Sequence, residues 1–175
     1  MMNDNPKVDI FSKFLKEFQD ETDRGASIMA GSILDEKLKK ILYDFLIDCK
    51  QTKDLIDGYG APIGTFSSRL NLAFSLGLIS EHEFQDCNTI RKIRNEFAHK
   101  FELDFSFKDQ KIKNLCWNLN APTPRDKEAF KDKPRLLFVN GVTMLYMNWL
   151  YREEYVSKRK LERPDWKDIT WKTKE

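Results

Sequence analysis

The sequence predicts an all-α fold: one domain built as a bundle of five to seven helices. Three observations predict it. Apolar residues recur at spacings of three, four and seven along most of the chain. Helix-start and helix-stop residues bracket those stretches. Neither an internal repeat nor an alternation of strand and helix periods interrupts them.

The elements follow in order. In residues 9–20, Phe11, Phe14, Leu15 and Phe18 form one apolar helical stripe. A second helix is expected from about Asp23 to Cys49, with Ile33, Leu34, Leu38, Ile41, Leu42, Phe45 and Leu46 buried. Near its start Gly25, Ala26, Ala30 and Gly31 are small, so another helix can approach closely there. Residues 57–64 (DGYGAPIG) hold three glycines and one proline, which makes a turn-rich loop. It lacks the spacing of a phosphate-binding loop, and chain reversal accounts for it.

Thr65 or Ser67 caps the next helix, which carries Leu70, Ala73, Phe74 and Leu76, and Gly77 falls where a left-handed cap is expected. Ser80 and Glu83 have capping-box spacing and start a helix running to about Lys100. Its apolar face is Phe84, Cys87, Ile90, Ile93, Phe97 and Phe101. Residues 102–107 alternate polar and apolar but are too few to found a sheet. A short helix is expected over 109–119, then a proline-rich linker or irregular helix over 120–134. A last long helix spans about Arg135–Val156 with Leu137, Phe138, Val142, Leu145, Trp149 and Leu150 inside. Residues 1–156 thus form the helical domain and 157–175 a tail.

Composition narrows the function. With 175 residues, 41% hydrophobic and 33% charged, the chain can bury a core without disulfides or metal. No stretch is long and apolar enough to span a membrane, and the N-terminus does not read as a signal peptide, so the expected location is the cytoplasm. Cys49, Cys87 and Cys116 are scattered, His82 and His99 are 17 residues apart, and no metal-ligand spacing occurs. Three reduced thiols and no cofactor or metal are expected. The net charge of +2 is uneven, because residues 157–175 carry +3. Lys158, Arg159 and Lys160, with Trp166 and Trp171, could track a phosphate backbone and stack on bases, although a solvated terminus explains them as well.

One segment stands apart, IRKIRNEFAHKF at residues 90–101. On a helix Arg91, Asn95 and His99 follow at steps of four, and Arg94 can bend toward them. Ile90, Ile93 and Phe97 face the core. Arginine can share the charge of a pentacoordinate phosphorane, and histidine can move the protons of 2′-hydroxyl attack. A helix C-terminus favours the protonated imidazole, as a general acid requires. The same residues could instead be structural, with Arg94 tied to a carboxylate and His99 capping the helix. Arg94, Asn95 and His99 are the candidate catalytic set, and Arg91 and Lys100 the adjoining phosphate contacts.

Residues 14–42 and 60–80 resemble the mannitol operon repressor family, often called MltR-like, and the likeness continues through 90–101 to about residue 155. It implies an all-helical protein in transcriptional control without a helix-turn-helix. The segment RNEFAH is also similar to the motif of HEPN domains, an Arg followed by a polar residue and a His four to six residues on. Arg94, Asn95 and His99 match it. That resemblance implies a homodimer whose paired motifs cut RNA without metal. Three roles are therefore expected: a metal-independent endoribonuclease of toxin or defence type, a non-catalytic regulator using protein or weak DNA contacts, or a plain interaction module.

Overall fold

A computed structural model describes residues 6–100, 102 and 104–169, the side chains from Asp9 onward. It contains α1 (Pro6–Asp20), α2 (Asp23–Phe45), α3 (Lys50–Ile56), α4 (Phe66–Ser75), α5 (Glu81–His99), α6 (Gln110–Trp117) and α7 (Pro134–Ser157). A single 3-10 turn, Lys127–Phe130, sits in the linker before α7. The described residues hold seven α-helices and no strand, so the all-α expectation holds.

Helix α2 is the hub. It packs against α7, α5, α4 and α1. Thr22 starts it by accepting the Gly25 N–H at 3.0 Å. Its buried positions, Ala26, Ala30, Leu34, Leu38, Ile41 and Leu42, run at helical spacing down its length. Helix α7 is the second axis. Pro134 occupies its first turn, where a missing N–H costs nothing. Leu137, Phe138, Val142, Leu145, Trp149 and Leu150 are all buried, as the periodicity predicts.

Two boundary signals hold as read. Ser80 Oγ accepts the Glu83 N–H at 3.3 Å, while Glu83 accepts the Ser80 N–H at 2.7 Å. Gly77 has φ of 68°, a left-handed cap that side chains resist. Other expectations change. Helix α2 stops at Phe45 rather than Cys49, because Leu46 turns extended. The short helix α3 is absent from the sequence reading: it buries only Thr52 and Ile56, too little periodicity to detect. Phe74 is partly exposed, stacking on Phe84 with ring centroids 4.5 Å apart. Residues 104–107 form no strand. Instead Phe105 and Phe107 lay their rings on Phe97 at 4.9 and 5.1 Å. Phe101, Leu103 and Trp171 lie outside the described residues.

The small residues near the start of α2 do bring a helix close. Ala26 and Ala30 are fully buried, and a Cβ on Gly31 would sit 3.2 Å from Arg94 Cγ on α5. The same approach puts Arg24 at the end of α5. Its two terminal nitrogens donate to the carbonyls of Phe97 and Lys100, each at 2.6 Å. These are carbonyls a helix end leaves without partners. The guanidinium also sets a positive charge against the negative pole of α5.

The three cysteines are free thiols. Burial pushes Cys116 up to about 12 and Cys87 well above the ordinary thiol value. Cys49 is partly exposed and lowered, chiefly by hydrogen bonding to Thr52. Since the thiolate is the reactive form, an aromatic disulfide reagent should label one thiol per native chain quickly and three only after unfolding. Peptide mapping should place the fast label on Cys49. Arg24→Ala should cost about 2 kcal/mol in urea unfolding, because two charge-assisted bonds to half-buried carbonyls are lost. Amide exchange should quicken in the last turn of α5 and stay unchanged in its first.

Candidate functional site

The last two turns of α5 carry the candidate residues, and the packing of α2 decides where they lie. Arg94 runs its aliphatic stem across Gly31, where α2 has no side chain to exclude it. Its Nη1 donates to Asn95 Oδ1 at 3.1 Å, so among the described residues the guanidinium is held by its own neighbour and not by a carboxylate. One helical turn back, Arg91 donates through Nη2 to Asn88 Oδ1 at 3.2 Å. Arg91, Arg94 and Asn95 share a cleft of about 320 Å³ with Gly31, Ser32 and Asp35 of α2 and with Thr65, Phe66 and Ser67 at the start of α4.

His99 does not line that cleft. It is exposed at the end of α5, and no hydrogen bond of its ring occurs among the described residues. Helical geometry explains the separation. Each step of four residues overshoots a full turn by about 40°, so from Arg91 to His99 the face rotates about 80° and climbs about 12 Å. From Arg94 to His99 the rotation is about 140°. Steps of four keep neighbours together, but two such steps do not keep Arg91 and His99 on one surface.

The remaining predicted contacts are dispersed. Lys100 follows α5, with its ammonium over the Phe105 ring at 4.5 Å and its carbonyl held by Arg24. Lys158 pairs with Glu154 at 3.2 Å, and the Arg159 guanidinium lies 3.7 Å from the Tyr155 ring centroid. Lys160 reaches the Tyr43 carbonyl at 3.4 Å, and the Leu161 N–H donates to the Phe45 carbonyl at 2.7 Å. The start of the tail is therefore docked at the C-terminal end of α2. Arg24, which holds the end of α5, lies at the other end of that helix, about 31 Å away along its axis. The predicted nucleic-acid contacts are thus dispersed along α2: Lys100 beside Arg24 at its start, Arg91 at the cleft beside Gly31 and Asp35, and Lys158–Lys160 at its C-terminal end.

Several residues of this region escaped the sequence reading. Asp35 pairs with the buried Arg69 at 2.8 Å and so supplies a neutralised carboxylate beside the cleft. Ser67 and Phe66 contribute the first turn of α4, where Thr65 Oγ1 and Ser68 form a reciprocal cap. Arg24 joins α5 across 73 and 76 positions of sequence, and no local pattern points to so distant a partner. The stripe of small residues was the available signal, since it marks where two helices touch.

A larger hollow of about 560 Å³ lies between α5, α7 and residues 120–122. Its two buried carboxylates are already used. Glu83 accepts from Ser80, Trp149 and Arg152, and Asp86 accepts from the backbone of Asn120 and Ala121 and from the Asn120 amide. These bonds hold the linker and α7 to α5, a structural task. Among the described residues no group of His, Cys, Asp and Glu could hold a metal ion, and no helix is long and apolar enough to cross a membrane.

Comparison with known proteins agrees with the fold. A chain in the X-ray structure of the MtlR–HPr complex from Escherichia coli superposes with a TM-score of 0.57 at 22% identity, covering 85% of this chain and 99% of that one. At that identity the likeness concerns the fold. No curated protein sequence matches the chain. The family described as mannitol repressor matches residues 18–148, spanning α2 to α6 entirely and most of α7. The chain belongs to the mannitol repressor family, MtlR.

Proposed function

We propose that this chain is a cytoplasmic, non-catalytic transcriptional regulator that works by binding a protein partner, HPr or a protein like it. The observation that supports this reading best is the separation of its cationic groups. A ribonuclease of the HEPN kind needs Arg94 and His99 on one phosphodiester, yet His99 stands outside the cleft that Arg94 lines. Autonomous DNA binding needs a continuous basic face, yet Arg91, Lys100 and Lys158–Lys160 are spread along the length of α2 and the net charge is only +2. Family membership favours regulation, and the similar Escherichia coli structure is a complex with HPr.

The ribonuclease reading keeps one favourable observation: Arg94 and His99 are both exposed, so a second copy of the chain could bring its own His99 to the cleft. Three measurements on one preparation separate the readings. Calorimetry with HPr should give saturable one-to-one binding. A gel-shift series over salt should show no salt-sensitive complex with duplex DNA, and diverse RNAs should stay whole. Absence of HPr binding contradicts the partner assignment. A salt-sensitive shift by the chain alone, or RNA cleavage lost in His99→Ala, overturns the regulatory reading.

A further inference from the structure

The cleft between α2, α4 and α5 has properties that partner binding does not explain. Four buried side-chain polar atoms lack a hydrogen-bond partner among the described residues, and three belong to this region. They are Arg91 Nε, Asp35 Oδ1 and the Nε of Arg69, which pairs with Asp35. Folded proteins rarely leave such atoms unpaired. Of the three residues, Arg91 and Asp35 line the cleft, and the Arg91 donor calls for an acceptor there whereas Asp35 Oδ1 calls for a donor such as a hydroxyl. On the α5 wall stand two guanidiniums. On the facing wall stands the first turn of α4, a helix of ten residues in which Thr65 Oγ1 takes the Ser68 N–H and the N–H groups of Phe66 and Ser67 have no acceptor within the helix. Asp35 is the single carboxylate among the lining residues, and Arg69 at 2.8 Å offsets its charge.

We infer that this cleft is a binding site for a small phosphate monoester. The sign of the field selects an anion. A cleft of about 320 Å³ lies near the lower limit for ligand pockets, which selects a small metabolite over an oligonucleotide. Donors on two facing walls suit a tetrahedral group. A monoester brings three terminal oxygens and nearly two negative charges, where a backbone diester brings two oxygens and one charge. The site stands apart from the partner assignment, since it needs neither HPr nor a second copy, and apart from His99, which plays no part in it.

The test uses the full chain with inorganic phosphate and glycerol 3-phosphate as probes. Glycerol, chloride at matched ionic strength and a single-stranded oligodeoxynucleotide serve as comparisons, read by calorimetry and thermal melting. Both phosphates should bind saturably at one site and raise the melting temperature. Arg94→Gln should weaken binding about ten-fold or more, as should Ser67→Asp, which sets a negative charge in the facing turn. Both variants should keep the helical circular dichroism of the parent, and Lys131→Ala should bind as the parent does. The inference falls if phosphate acts no differently from chloride. It falls equally if folded Arg94→Gln binds as tightly as the parent, or if the oligonucleotide binds more tightly than either monoester.

Discussion

The close approach of α2 and α5 governs the arrangement of everything else. It is closest at Gly31, where α2 has no side chain and the stem of Arg94 lies across it, with the small Ala26 and Ala30 buried in the turns just before. A Cβ at Gly31 would sit 3.2 Å from the stem of Arg94, which would have to give by a few tenths of an ångström. With the helices together, Arg24 reaches the carbonyls of Phe97 and Lys100, and Arg94 is laid across α2 instead of standing free. Packing thus sets the direction of the Arg94 side chain. The cleft is a by-product of two helices touching where one has no side chain.

That constraint divides the motif RNEFAH. Its arginine and asparagine turn toward α4, and its histidine stays at the exposed helix end. Within one chain the motif is therefore a cleft-lining pair plus a separate imidazole. A pentacoordinate phosphorane needs its acid and its charge-sharing arginine at one phosphorus atom. Membership in the mannitol repressor family fits better with a molecule that binds and signals. A small anion beside α2, the helix that contacts four others, would be well placed to bias such a molecule between states.

Much of the fold was legible because it depends on local physics. The capping box of Ser80 and Glu83, the left-handed cap at Gly77 and the apolar periodicity of α7 each act within a few residues. What was not legible depends on distant partners or weak periodicity. Helix α3 buries too few residues to show a stripe, and Leu46 turns extended despite its apolar side chain. The site divides in the same way. Arg91, Arg94 and Asn95 could be picked out from spacing, while Arg24 and Asp35 could not, because tertiary packing alone brings them near. Ser67 was legible only as a cap candidate, a place that Thr65 takes. His99 was grouped with Arg91 by steps of four, and the accumulated rotation of about 80° over two steps separates them.

The central claim is that Arg94 and His99 serve different surfaces of the chain. Nitrogen-15 NMR of arginine side chains and the histidine ring, followed through a phosphate titration, tests it most directly. The account predicts that the Arg91 and Arg94 side-chain signals move together and saturate while the His99 ring signals stay in place. His99 moving with Arg94 along the same saturation curve would show that both groups meet one phosphate and would contradict it.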